Sequence, residues 1–217
     1  EEGGDAKIIF LPNPNNPTGT YLGADEVNEF VEKFASKDML IVFDEAYNEF
    51  VRAEDYPDTS MLAAKHKNVV LLRTLSKVYG LAGLRLGALI ADPTVTDFIN
   101  RVRNPFNVNS IAQAAGEVAL NDDEYLKKVQ KVNWDGLDYF YKELKRLDLP
   151  FWESQANFVL FDGKTDSSAL FQALLKKGVI MRPVANYGLK THLRLSVGTE
   201  AENQKAIQAL EAALKER

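Results

Sequence analysis

The chain has 217 residues, 46% of them hydrophobic and 10% aromatic, with 26 lysines and arginines against 31 aspartates and glutamates, a formal net charge of −5. That length and apolar content allow a buried core in one or two domains, and the acidic balance argues against a general nucleic-acid or membrane-surface binder. No apolar run approaches the roughly 20 residues that span a bilayer. The lack of cysteine excludes disulfides and thiolate chemistry, and His66 and His192 are too few for a histidine-rich metal centre; a soluble, cytoplasmic protein is expected.

Lys7 to Leu11 has the apolar, β-branched character of a short buried strand, and Pro12-Asn13-Pro14-Asn15-Asn16-Pro17-Thr18-Gly19 must end it in a rigid loop. Val27, Phe30, Val31 and Phe34 recur at helical spacing, which predicts a helix from about Ala24 to Ser36 with one face on a sheet. Met39 to Phe43 reads as a second strand, Ser60 to Lys65 as a helix, Val69 to Leu72 as a third strand and Leu86 to Ala91 as a fourth. Asp92-Pro93 supplies a cap and a first-turn proline for the helix that follows.

A helix from about Ile111 to Leu120 precedes a long one, capped by Asn121 with Glu124, that reaches about Leu147. Leu137, Phe140, Tyr141 and Leu144 form the apolar face of its later part. Beyond Pro150, strands are expected at Asn157 to Phe161, Val179 to Arg182 and His192 to Val197. Helices are expected at Ser167 to Lys177 and Glu200 to Lys215, the last with a Thr199/Glu202 capping box. The alternation predicts an α/β fold, a three-layer, mostly parallel sheet over residues 1–125, followed by a smaller α+β domain over 126–217, with the boundary in the long helix.

In a parallel sheet, ligands gather beyond the carboxyl ends of the strands, where Asn16, Asp44 and Thr74 are expected. Thr74-Leu75-Ser76-Lys77 sets a lysine among hydroxyls, with Arg85 eight positions on. A solvated lysine has a pKa of about 10.4, but partial desolvation near other positive charge frees its amine to form a Schiff base with an aldehyde. Asp44 can hold a heterocyclic nitrogen protonated, and Asn16 and Tyr47 can meet a ring oxygen. Thr74, Ser76 and the planar fork of Arg85 suit a phosphate. One ligand, pyridoxal 5'-phosphate, asks for all four kinds of partner. Plainer roles stay open: a turn for Asn15 to Gly19, a helix cap for Asp44, and a snorkelling edge arginine for Arg194.

The order Asn-Pro-Asn-Asn-Pro-Thr-Gly, Asp-Glu-Ala-Tyr, then Ser-Lys with Gly-Leu-Ala-Gly-Leu-Arg resembles the fold-type I, class I and II aminotransferases. Within that family it is most similar to the histidinol-phosphate and aromatic aminotransferases. Gln155 to Leu160, Gly178 to Arg182 and His192 to Thr199 are similar to the family's small-domain segments. The resemblance implies that Lys77 is the catalytic lysine and that Asn16, Asp44, Tyr47, Thr74, Ser76 and Arg85 hold the cofactor. It also implies that Arg194 binds the substrate's carboxylate or phosphate with Arg182 and Asn157 close by. A small-molecule amino donor, a 2-oxo acid and a homodimer follow in the same way, with histidinol phosphate and 2-oxoglutarate as the substrate pair. An aromatic amino acid aminotransferase, an amino-acid-phosphate decarboxylase, and a non-catalytic cofactor-binding regulatory domain or inactive fragment are the alternatives. The family's glycine turn at a helix N-terminus, its ring-stacking aromatic and its N-terminal arm have no counterpart before Lys7. A longer parent protein is therefore expected, with the large domain incomplete in this chain.

Overall fold

The computed structural model describes residues 6–35 and 38–216. They fall into two compact units, one running to Pro14 and from Tyr21 to Leu126, the other comprising Asn15–Thr20 and the chain from Lys127 onward. The Asn15–Thr20 loop, which a single cut at 125/126 leaves in the N-terminal part, packs with the C-terminal unit. Gln155 N–H donates to Gly19 O (2.8 Å) there, and a Cβ on Gly19 would collide with the Ser154 hydroxyl.

The first unit contains β1 (Ile8–Pro12), α1 (Ala24–Phe34), β2 (Leu40–Asp44), α2 (Thr59–Lys65), β3 (Val69–Thr74), β4 (Gly87–Ile90), α3 (Pro93–Val102), α4 (Ser110–Leu120) and the start of α5 (Asp123–Arg146). Its sheet has the order β1-β2-β3-β4, with the first two pairings parallel and β3-β4 antiparallel. The crossover helices α1 and α2 pack on one face, as right-handed connections between successive parallel neighbours require. Val27, Val31 and Leu62 of these helices pack there with Ile41, Phe43, Val69 and Leu71. Each fully buried side chain of this size contributes about 1.5–3 kcal/mol. A seven-residue helix such as α2 depends on that burial, because isolated helices this short are unstable in water. On the opposite face of β1, Ile8 and Phe10 are exposed, Phe10 by 63%.

The second unit adds β5 (Phe151–Trp152), β6 (Phe158–Asp162), α6 (Ser167–Lys176), β7 (Arg182–Pro183), β8 (His192–Ser196) and α7 (Glu200–Lys215). Its sheet has the order β5-β6-β8-β7, antiparallel throughout. Val159 and Phe161 lie opposite Leu195 and Leu193. They share a core with Leu137, Phe140 and Leu144 of α5, Leu170 and Leu174 of α6, and Ile207 and Leu210 of α7. Phe158, Leu160 and Arg194 therefore project from the other face, by the period-2 alternation of a strand.

Several expected boundaries move. β1 and β2 each start one residue later, so Asp44 closes β2 instead of following it. α1 stops at Phe34, and the expected end at Ser36 lies outside the described residues. α5 is capped by Asp122, whose carboxylate accepts from Tyr125 N–H (2.9 Å), while Asn121 donates to Glu117 O (2.7 Å). The expected strand at Val179 to Arg182 shrinks to Arg182–Pro183 because the preceding residues finish α6. Gly178, at φ 71°, lets its own N–H reach Leu175 O, and Val179 N–H reaches Leu174 O. Ile180 is left 80% exposed. Phe151–Trp152 was not anticipated; two residues behind Pro150 give too short a pattern to read.

Two consequences are measurable in the second unit. At Gly136 of α5 a Cβ would press on Val197 and lie 2.9 Å from Asn203 Nδ2, so Gly136→Val should lower stability by about 1–3 kcal/mol in urea unfolding. Glu211 accepts from Arg146 (2.8 Å) and Lys215 (2.7 Å); these bonds, Arg146's first, hold its carboxyl at about 2. The unfolded chain binds that proton at a higher pH, so the contribution is present above the ordinary carboxylate pKa and is lost as pH falls through about 2. Between those limits the wild-type melting temperature should fall with pH more steeply than that of Glu211→Gln.

Candidate active site

In the first unit the parallel pairing of β2 and β3 sets two strand ends side by side, with Asp44 opposite Leu72 and Thr74 two residues further on. The Asp44 side chain is exposed and accepts from Ala46 N–H (3.2 Å). That is a tight turn of its own making and not a helix cap, since the next helical turn, Asn48–Phe50, starts from Tyr47. Thr74 Oγ1 accepts from Ser76 N–H (3.1 Å) and donates to Leu86 O (3.5 Å), orienting the start of the lysine loop. The loop is closed by Leu75 N–H to Leu86 O (3.1 Å), Leu81 N–H to Leu75 O (3.0 Å) and Gly80 N–H to Lys77 O (3.0 Å). Gly80, at φ 69°, makes that last turn possible.

Leu75 and Val78 are buried on either side of exposed Lys77, so the loop is anchored by its apolar residues and presents its amine outward. The Lys77 ammonium lies 5.5 Å from the centroid of the buried Tyr47 ring. This cation–π contact joins the lysine to the turn that follows Asp44. Arg85 is exposed, holds a left-handed conformation at φ 56° and donates to Ala82 O (2.8 Å). A non-glycine residue with that φ is uncommon.

The second unit brings together Asn16, Arg182 and Arg194. Arg194 lies on β8, flanked by β6 and β7, so it is not a snorkelling residue on a sheet edge. Its guanidinium stacks 4.7 Å from the Phe158 ring centroid, donates to Asn16 Oδ1 (2.7 Å) and has a buried Nε with no hydrogen-bond partner among the described residues. Arginine can only donate, so the amide oxygen of Asn16 faces it and the Asn16 NH₂ is left as a donor. Arg182 is the register partner of Arg194. Like charges directly opposed across strands are destabilising, which makes this pair a natural seat for an anion. Asn157 is half-buried, and its carbonyl accepts from Val197 N–H (2.9 Å).

The residues fit an aldehyde cofactor with a ring nitrogen and a phosphate. They supply an exposed amine, a carboxylate at a strand end, loop hydroxyls and a guanidinium, while the unpartnered Nε of Arg194 is a donor suited to an anionic group. His192 contacts Thr191 (3.1 Å) and the Trp152 ring, and His66 lies 3.4 Å from Glu32, so neither histidine joins these clusters. Sequence reading missed the frame around them. Asn13, read only as a turn residue, is fully buried and clamps Leu22 through both ends of its amide (2.9 and 3.2 Å), while its carbonyl accepts from Tyr56 (2.5 Å). Glu45 and Arg73 pair at 2.7 Å beneath Asp44 and Thr74; the charged residue directly after an apolar strand was the available signal for Glu45.

The family model of aminotransferase class I and II matches residues 1–210. Histidinol-phosphate aminotransferase of Bdellovibrio bacteriovorus is 54% identical over 97% of the chain and 57% of its own length. Histidinol-phosphate aminotransferase 2 of Pasteurella multocida is 45% identical over 96% and 57%. Among solved structures, histidinol-phosphate aminotransferase from Sinorhizobium meliloti in complex with pyridoxal-5'-phosphate superposes with a TM-score of 0.88 at 29% identity, covering 98% of this chain and 58% of that one. The chain thus spans a little over half the length of the relatives it matches.

The opposed arginines make a salt-dependent prediction. Without ligand, Arg182→Gln should stabilise the protein by about 0.2–1 kcal/mol at low ionic strength. The gain should disappear as added salt screens the pair, which thermal melts at two salt concentrations would show.

Proposed function

Since the chain belongs to the class I and II aminotransferases, we propose that the protein moves the amino group of histidinol phosphate to 2-oxoglutarate with pyridoxal 5'-phosphate as cofactor. The observation that carries this reading is the pairing of β2 with β3, which sets Asp44 and the Thr74-to-Lys77 loop at neighbouring strand ends. The histidinol-phosphate aminotransferases among its relatives favour this amino donor.

When bound, the cofactor supplies an electron sink for the pair left on the substrate α-carbon, chemistry that no side chain of this protein can provide. The chain's residues divide the remaining work. Lys77 would hold the aldehyde through Nζ, and the same amine is the base that would take the substrate α-proton. Asp44 keeps the ring nitrogen protonated, because an adjacent carboxylate favours the cation. Tyr47 and the Asn16 NH₂ donate to the ring oxygen. Thr74, Ser76 and Arg85 would hold the phosphate, to which a guanidinium can give charge-assisted bonds. Arg194, with Arg182 and Asn157, would fix the anionic end of the substrate and so orient its α-carbon. The working form in this reading is a cytoplasmic homodimer acting on small molecules, with no part for nucleic acid or membrane. None of the described helices is long and apolar enough to cross a bilayer.

The test is made on the full-length protein reconstituted with pyridoxal phosphate. Lys77→Ala should lose the long-wavelength absorbance that the cofactor gains on joining a lysine, together with transfer from histidinol phosphate to 2-oxoglutarate. Normal turnover by that variant would sink the assignment. Carbon dioxide released from an amino-acid phosphate, without amino transfer, would instead identify a decarboxylase.

A further inference from the structure

A polar cluster is buried directly behind the strand ends that carry Asp44 and Thr74. The Asp44 side chain is exposed, and its neighbour Glu45 is fully buried. Glu45 accepts from Thr59 Oγ1, at the start of α2, through one carboxylate oxygen and from Arg73 Nε (2.7 Å), on β3, through the other. Its own N–H donates to Leu72 O (3.0 Å). One carboxylate thus ties together the ends of β2, β3 and α2. Asp44 is also held through its main chain, because its carbonyl accepts from Asn13 N–H (3.0 Å), and Asn13 in turn is held by Tyr56.

Stability alone does not explain a carboxylate in this place. Burial pushes the Glu45 carboxyl upward despite Thr59 and Arg73, and burial likewise raises the carboxyl of Glu49 nearby. Asp58, the cap of α2, adds further negative charge facing Glu45, so Arg73 is shared among several acids. A buried ion pair contributes little net stability compared with apolar residues of the same volume, and its attested use is to select one geometry. Here the geometry lies one residue from each functional group: Glu45 follows Asp44, and Arg73 precedes Thr74.

We propose that Glu45, Arg73 and Thr59 are positioning residues, whose buried bonds lock the β2 and β3 ends so that Asp44 and the Thr74-to-Lys77 loop keep a fixed separation around the cofactor. This inference rests on the reading of Lys77 and Asp44 given above. Displacing a reacting group by even a fraction of an ångström is felt in rate and in the coupling of charges across the cofactor, without loss of the fold.

The test follows the pH midpoint of the bound cofactor's absorbance in the full-length holoprotein, together with steady-state turnover. Glu45→Gln should shift that midpoint by about half a unit or more and lower kcat about tenfold or more with little change in KM. Thr59→Val, nearly isosteric, should move the midpoint in the same direction by less. It also keeps the question decidable if Glu45→Gln fails to fold. Variants with native circular dichroism and an unmoved midpoint would overturn the positioning role while leaving the cofactor site intact. A holoprotein whose cofactor absorbance survives Lys77→Ala would overturn the site reading, and this inference with it.

Discussion

The parallel hydrogen-bonded pairing of β2 with β3 is the constraint on which the first unit depends. Parallel strands end on the same side, so two polar segments separated by some thirty positions in the chain emerge as neighbours. The pairing requires a crossover, which α2 provides, and the crossover needs a helix too short to stand alone. Leu62 in the core and the Asp58 cap keep that helix formed. The lysine loop depends on the same sheet, because its two ends are joined by the bond from Leu75 N–H to Leu86 O where β3 and β4 meet. Gly87 allows that close approach; a Cβ there would lie 2.7 Å from Arg73 O.

The second unit solves a different problem, which is to set Arg182 and Arg194 opposite each other across β7 and β8. Its antiparallel sheet directs alternate residues to opposite sides, sending Val159, Phe161, Leu193 and Leu195 into the helical core and Arg194 to the other face. There the guanidinium is held by Phe158 and Asn16, leaving Arg182 opposite it across the strand pair. The amide of Asn16 joins the arginine by its only possible acceptor, and that choice fixes which of its groups can serve a ligand.

Among the described residues, the first unit buries the polar side chains of Asn13, Glu45 and Thr59, and the second those of Asn133, Ser154, Ser167 and Asn203. The cores of both units are aliphatic and aromatic, while Asn13 and Glu45 are buried beside the loop and strand ends that hold the candidate chemistry. Desolvation makes such groups costly, and their directional bonds offset that cost by specifying one arrangement of backbone ends.

Much of this was legible in the sequence because its signals are local. The helical spacing of Val27 and Val31, the Asp92-Pro93 cap and the Thr199/Glu202 capping box each act within a few residues. The functional residue types could be read in the same way, since an amine, a carboxylate, hydroxyls and a guanidinium have chemistry independent of context. Boundaries such as Val179 to Arg182 were less legible, because a glycine-ended helix and a short strand compete for the same apolar residues. What only the tertiary structure decided are relations between distant residues: Asn16 with Arg194, Arg182 opposite Arg194, and Glu45 with Arg73 and Thr59. Strand register and side-chain burial create those pairs, and neither is encoded in any one segment of the chain.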